Sequence, residues 1–131
     1  MLHIRWSKGQ ADVEGTRSDL ADLHRRLLAF APTKEPRLLI EADATIDPAP
    51  YERTLKGLTV EKSQALVTAQ VLADRLYISG KPNLLALLAR TIPHSEEQSK
   101  TSGHYHAHFD QASNPTEVHE RSAEMRFTIR T

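Results

Sequence analysis

The sequence predicts an α+β protein in which one antiparallel sheet of about eight strands carries two helices on one face. Short runs of alternating apolar and polar residues are typical of half-buried strands. Two longer segments place leucines three and four residues apart, which is the spacing of one helix face. The second half of the chain also repeats the outline of the first. At 131 residues, the chain is long enough to fold as a single domain around one core.

The first half contains a hairpin, a helix and two further strands. Ser18 is the predicted N-cap of the helix, because its hydroxyl precedes an apolar periodic segment. One face of this helix carries Leu20, Leu23, Leu27 and Phe30. Alternation and turn residues predict strands at 2–6, 11–14, 37–43 and 55–62.

The second half is predicted to contain the same kinds of element in the same order. Pro82 suits the first turn of a helix, and Asn83 is its predicted cap. The apolar stripe of this helix consists of Leu84, Leu85, Leu87, Leu88 and Ile92. Strands are predicted at 65–72, 75–79, 104–110 and 125–129.

The residues of the second half correspond to those of the first at an offset of 65, which grows to 67 and then 69 along the chain. Gly15 corresponds to Gly80, and the same spacing of 65 places Leu23 on Leu88. Asp43 corresponds to Asp110 at offset 67, and the run 58–60 corresponds to 127–129 at offset 69. The offset changes only in predicted loops, where insertions are tolerated. We therefore interpret the chain as one domain, 1–131, built from two ββαββ repeats at about 1–63 and 65–131.

The composition limits the classes of partner and compartment. Lys and Arg together number 17, as do Asp and Glu, so no net field would attract nucleic acid or an anionic membrane. There is no cysteine, which excludes disulfides and cysteine-based zinc sites. No run approaches the roughly 18 apolar residues of a membrane span, and the first residues lack an apolar signal core. These features predict a soluble, cytoplasmic protein.

The strand at 104–110 carries the most distinctive pattern. Alternation places three imidazoles on one side of the strand, at His104, His106 and His108, and Tyr105, Ala107 and Phe109 on the other. The apolar side is predicted to face the helices. Alternate side chains of one strand stand roughly 7 Å apart, so a metal ion would need a further ligand from a neighbouring strand. A metal site, a polar strand facing solvent or a partner, and a structural hydrogen-bonding role all fit this pattern.

Motifs of known catalytic sites are missing from the sequence. It contains no Gly-rich phosphate loop, no GxSxG elbow and no HExxH pair. The carboxylate pairs Asp19/Asp22 and Glu96/Glu97 have the pattern of solvated charges on a helix and in a loop. We therefore predict a protein that is not an enzyme, with no catalytic residue and no cofactor.

Four short segments of the second half form a recognisable series. They are Ile78-Ser79-Gly80, the Leu-rich run 84–89, His106-Ala107-His108-Phe109-Asp110 and Ser122-Ala123-Glu124-Met125. This series, which spans about residues 75–130, resembles a family of small immunity proteins from bacterial polymorphic toxin systems. The resemblance implies a non-catalytic protein that neutralises a cognate toxin by binding it. The matched polar positions are His106, His108, Asp110, Ser122 and Glu124.

The candidate binding residues combine these positions with the face of the histidine strand. They are His104, His106, His108, Asp110, Ser122 and Glu124, and none is predicted to ligate a metal. The expected partner is a protein, with neither nucleic acid nor membrane, and a homodimer is possible. Two alternatives stay open at this point: a small His-dependent metal-binding protein or enzyme, and a general protein-interaction or dimerisation module.

Overall fold

The structure is a computed structural model that describes residues 1–94 and 106–130, with only the backbone of His106. Within those residues the chain forms nine strands and two helices, which confirms the predicted α+β class. The elements are β1 (His3–Ser7), β2 (Gln10–Gly15), α1 (Arg17–Phe30), β3 (Arg37–Glu41), β4 (Arg53–Leu55), β5 (Gly57–Lys62), β6 (Thr68–Leu72), β7 (Arg75–Gly80), α2 (Pro82–Thr91), β8 (His106–Phe109) and β9 (Glu124–Ile129).

The strands form two mixed sheets, so the prediction of a single antiparallel sheet was wrong in this respect. One sheet has five strands in the order β4-β1-β2-β9-β8, and the other has four in the order β3-β5-β7-β6. The parallel pairs β2/β9 and β5/β7 each join one strand from either half of the chain. Local alternation predicts a strand and its buried face, but it carries no information about which other strand lies beside it.

The two hairpins have the same register at an offset of 65. Ser7 pairs with Gln10, and Leu72 pairs with Arg75. With the hairpins at offset 65, the parallel ladders place Gly57 on Glu124 (124 − 57 = 67), because Gly57 pairs with Arg75 and Glu124 pairs with Gln10. The antiparallel ladders then place Ile40 on Phe109 (109 − 40 = 69). The sequence alignment had assigned these two offsets the other way round. The duplication itself stays a prediction.

The segment 55–62, predicted as one strand, is divided between the two sheets. Residues 53–55 form β4 against β1, and 57–62 form β5 between β3 and β7. A Cβ atom on Gly57 would lie 2.4 Å from the carbonyl oxygen of Ile40, so the backbones approach too closely here for any side chain. The chain therefore changes sheet at a glycine that the alternation pattern alone does not mark.

One hydrophobic core joins both sheets and both helices. The helices pack against each other, α1 also contacts β2, and α2 contacts β7 and β8. The buried residues of α1 are the four predicted from periodicity: Leu20, Leu23, Leu27 and Phe30. In α2 the predicted Leu85 and Leu88 are buried, with Ala89, which was not predicted. The predicted Leu84 and Leu87 are only partly buried, and Ile92 is buried just after the helix. In the part of the chain that the structure describes, no helix is long and apolar enough to cross a membrane.

Both helices begin one residue before the predicted cap. Thr16, not Ser18, is the N-cap of α1, and it forms a capping box with Asp19. The Asp19 amide donates to Thr16 Oγ1 at 3.1 Å, and the Thr16 amide donates to Asp19 Oδ2 at 3.0 Å. The N-cap of α2 is Lys81, whose side chain makes no capping bond, and Pro82 follows it. Pro82 has no amide hydrogen, so one of the unpaired donors of that helix end is absent.

We expect Asp19→Asn to destabilise the protein by about 0.5–1 kcal/mol at pH 7. Burial raises the pKa of Asp19, but the two hydrogen bonds with Thr16 and the charge of the N-terminal amine outweigh it and lower the pKa below 3.8. A lowered carboxylate pKa contributes stability above the unfolded value, and this contribution is lost as pH falls through the folded value. Urea denaturation at pH 7 and pH 3 measures the difference.

The matched control is Asp22→Asn, which removes an equal charge one turn further along α1, where Asp22 pairs with Arg25 in solvent. The control should change stability little at either pH. An Asp19→Asn variant as stable as the wild type at pH 7, or equally destabilised at both pH values, would contradict the role of the capping box.

Candidate functional site

The outer face of the five-stranded sheet carries a dense set of charged side chains. One row crosses all five strands in register, from Thr54 through Arg5, Asp12 and Arg126 to His108. The adjacent row runs from His3 through Glu14 and Thr128 to His106. We call these two rows the histidine face.

A buried carboxylate lies at the centre of the histidine face. Asp12 has a side chain that is only 4% exposed, and its Oδ1 accepts hydrogen bonds from Arg126 Nε and Thr128 Oγ1, both at 3.0 Å. Arg126 Nη2 donates to the Tyr51 hydroxyl at 2.7 Å. Burial lowers the pKa of Arg126, but the hydrogen bond and charge of Asp12 outweigh it and raise the pKa. The Arg126 guanidinium therefore stays charged, and its bonds to Asp12 and Tyr51 hold it in a fixed position.

The loop between β3 and β4 covers part of this face. Arg5 Nε donates to the carbonyl of Asp47 at 3.2 Å, and Thr54 Oγ1 donates to that of Ala44 at 3.1 Å. Burial, with the charge of Asp12, raises the pKa of Tyr51. Tyr51 is thus neutral at pH 7, and its hydroxyl accepts the bond from Arg126.

A second group of charges lies around His3. Its ring nitrogens are 3.7 Å from Glu14 and 4.0 Å from Asp43, and Arg130 also contacts the ring. Burial and the charge of Arg130 lower the pKa of His3, although Glu14 opposes them. His3 is therefore neutral at pH 7 and contributes hydrogen-bonding groups rather than charge.

The three histidines of the predicted binding strand are described to different extents. His104 lies outside the described residues, and His106 is placed by its backbone only, opposite Thr128. The His108 side chain is 45% exposed, and its Nδ1 is 3.9 Å from Asp110 Oδ2. Phe109 is fully buried on the opposite side of the strand, as alternation predicts.

The other three candidates have clear local roles. Asp110 is buried and forms a turn, since its Oδ1 accepts from the Ser113 amide at 2.7 Å. Ser122 Oγ accepts from the Ala69 amide at 2.8 Å and donates to the carbonyl of Ala123. Glu124 begins β9 with an exposed side chain. The structure thus brings Asp110 close to His108, while Ser122 lies at the edge of β6.

Comparison with models of known protein families, with curated proteins and with solved structures finds no match. What the site can bind is therefore inferred from the geometry of its own side chains. In residues 1–94 and 106–130, no group of three or more His, Cys, Asp or Glu side chains is placed to hold a metal ion.

In the single sheet predicted from the sequence, four further polar strand residues would share the outward surface with the histidines. Thr59, Glu61, Thr68 and Gln70 belong to the four-stranded sheet, because the predicted single sheet is in fact two.

The residues that sequence reasoning did not select are Asp12, Tyr51 and Arg126. Alternation with the apolar Ala11 and Val13 places Asp12 on the polar face of its strand, so nothing in the sequence marks it as buried. In the structure its side chain is nevertheless enclosed. A carboxylate there requires a partner, because an unpaired buried charge is strongly unfavourable. The partner itself, 114 residues away, follows only from the pairing of β2 with β9.

The histidine face is suited to polar recognition. Ion pairs join its arginines to two carboxylates, Arg5 and Arg130 to Glu14 and Arg126 to Asp12, while Asp43 lies against His3. Because these charged side chains are paired and lie on a sheet, they are held in fixed positions. The exposed side chains beside them therefore belong to a preorganised surface. Such a surface can exchange hydrogen bonds with a partner without prior rearrangement.

Proposed function

We propose that this protein is a non-catalytic binding protein of the immunity type, which neutralises a cognate bacterial toxin by direct contact in the cytoplasm. The single observation that carries the proposal is the histidine face. It offers exposed His108 and partly exposed Arg126 on a sheet whose central charges are already paired. Together with the resemblance of residues 75–130 to immunity proteins, this favours recognition over turnover.

The balance of charge on this face favours a protein over nucleic acid as the partner. A nucleic-acid site presents a cluster of Lys and Arg to the phosphates. Here the three arginines pair with Asp12 and Glu14, and a third carboxylate, Asp43, lies beside His3. The charges balance, so the face has no strong field of either sign. Paired, polar surfaces with a few exposed anchors are typical of protein interfaces.

The test begins with a pull-down of tag-captured protein from its bacterial host, followed by calorimetry with the purified partner. We expect a double variant, His106→Gln with His108→Gln, to fold normally and to bind that partner about tenfold more weakly or worse, as when anchor residues are removed. The matched control is His119→Gln, on the segment beside β6, which should bind as the wild type does.

Two results would contradict this proposal. Equal binding by the double variant and the wild type would place the interface elsewhere. Stoichiometric zinc or nickel in protein purified without an affinity tag would favour the metal-binding alternative, and metal analysis of the double variant would then show whether these histidines hold it.

A further inference from the structure

The outer edge of β6 is paired along only part of its length. β1 and β6 hold corresponding positions, as the first strand of each hairpin, and the offset of 65 places Trp6 on Val71. β1 is covered at this position by β4, in which Arg53 pairs with Trp6. β6 has no strand of this kind beside Val71 within residues 1–94 and 106–130.

Among the described residues, the hydrogen bonds along the outer edge of β6 end at Ala69. The Val67 amide donates to the carbonyl of Glu117 at 2.9 Å, and the Val67 carbonyl accepts from His119 at 2.8 Å. The Ala69 amide donates to Ser122 Oγ, and the Ala69 carbonyl accepts from Ala123 at 2.9 Å. Alternate residues of a strand direct their backbone groups to the same edge. Val71 therefore presents its N–H and C=O in this direction, where the segment 117–123 no longer runs beside it.

A groove lies at the unpaired position. It has a volume of about 500 Å³, which is within the range of about 300–1,000 Å³ typical of ligand pockets. Its lining includes Arg53, Arg121, Trp6 and Gln70, together with Val71 itself, and none of the described residues that line it is a carboxylate. Arg53 donates to the carbonyl of Ala73, which leaves its other N–H groups available. Both arginines are exposed, so the groove carries positive charge.

We infer that this groove binds an extended, acidic segment of a protein partner, which adds to β6 as a short antiparallel strand. The backbone of the segment would exchange hydrogen bonds with Val71, in the place that β4 takes beside Trp6 in the other hairpin. Its carboxylates would pair with Arg53 and Arg121, and an apolar side chain would lie against the Trp6 indole. Addition of a strand to an open edge is a recurring mode of peptide recognition.

This inference does not rest on the proposed role of the histidine face. The lining of the groove contains none of the histidine-face residues, so either surface can bind without the other. The rival interpretation is that the two arginines only protect the edge from non-specific pairing, as charged side chains do at many sheet edges.

The probe is a short synthetic peptide in which glutamate and valine alternate, blocked at both ends. Trp6 is the single tryptophan of the chain, so its fluorescence reports occupation of the groove. We expect this peptide to change the Trp6 emission and to shift the Val71 amide resonance, while the matching lysine–valine peptide does neither. No response to the acidic peptide, or an equal response to the basic one, would overturn the inference in favour of edge protection.

Two double variants separate the contribution of the groove arginines from a general effect of charge. Arg53→Gln with Arg121→Gln should weaken binding of the acidic peptide about five- to tenfold, as expected for two exposed ion pairs. The control with the same loss of charge is Arg25→Gln with Arg90→Gln, on the two helices, which should bind as the wild type does. Equal weakening of peptide binding by both double variants would reveal a general charge effect and would contradict a binding site at the groove.

Val71→Pro tests the backbone contact. Proline removes the N–H that points to the groove, which is not part of the pairing between β6 and β7, and we expect peptide binding to be abolished. If this variant does not fold, the arginine pair decides the question. The histidine double variant, His106→Gln with His108→Gln, should bind the peptide normally, so failure of one surface is distinguishable from failure of the other.

Discussion

Truncation of Leu88 to alanine is expected to lower the free energy of unfolding by about 2–5 kcal/mol, and Leu23→Ala should have an effect of the same size. Leu88 is fully buried, and Leu23 is 2% exposed. Both side chains lie in the core between the helix pair and the two sheets. Removing either leaves a cavity that the surrounding close-packed side chains can fill only in part. Urea denaturation followed by circular dichroism measures both losses.

The exposed Leu39 provides the control for these truncations. Its side chain lies on the edge strand β3 and is 52% exposed, so Leu39→Ala should change stability by no more than about 0.5 kcal/mol. A loss under about 0.5 kcal/mol at both Leu23 and Leu88 would mean that the helix faces do not bury the side chains assigned to them.

The helices and their buried faces could be predicted because the signal for them is local. Leucines at spacings of three and four define a helix face whatever the helix packs against, and the face of α1 matches the prediction in full. The N-cap of α1 also had a local signal, because Thr16 and Asp19 stand three apart, as in a capping box. Ser18 also has a hydroxyl that precedes the apolar periodic segment, and the sequence prediction therefore placed the cap there. Lys81 offers no side-chain signal, so the start of α2 rests on Pro82 alone.

The division into two sheets could not be predicted in the same way. β2 and β9 are adjacent in space, yet Gln10 and Glu124 are 114 residues apart (124 − 10 = 114). Both strands were located by alternation, which fixes the face of each but not the neighbour. The same limit applies to the site. Asp12 and Arg126 each lie in a strand that alternation predicts, but their pairing follows from a parallel ladder that no local pattern encodes.

The second large loss of stability is expected at the Asp12–Arg126 pair, because one of its two charges is buried in the fold. Asp12 is nearly inaccessible to water, whereas about a third of the Arg126 side chain is exposed. Removing one partner of a buried ion pair costs about 3–5 kcal/mol, since the other charge stays desolvated. The exposure of Arg126 reduces this cost, because water can solvate part of the guanidinium that is left.

We therefore expect Asp12→Ala to destabilise the protein by about 2–4 kcal/mol at pH 7. Asp12→Asn should cost less, because its amide oxygen can still accept from Thr128 Oγ1. The double variant Asp12→Ala with Arg126→Met should recover part of the loss, since it removes both charges and restores apolar volume. Denaturation of the three variants and of Arg126→Met alone completes a double-mutant cycle. A double variant that loses the sum of the two single losses would mean that the pair is not coupled, and that the centre of the histidine face is held by the sheet backbone alone.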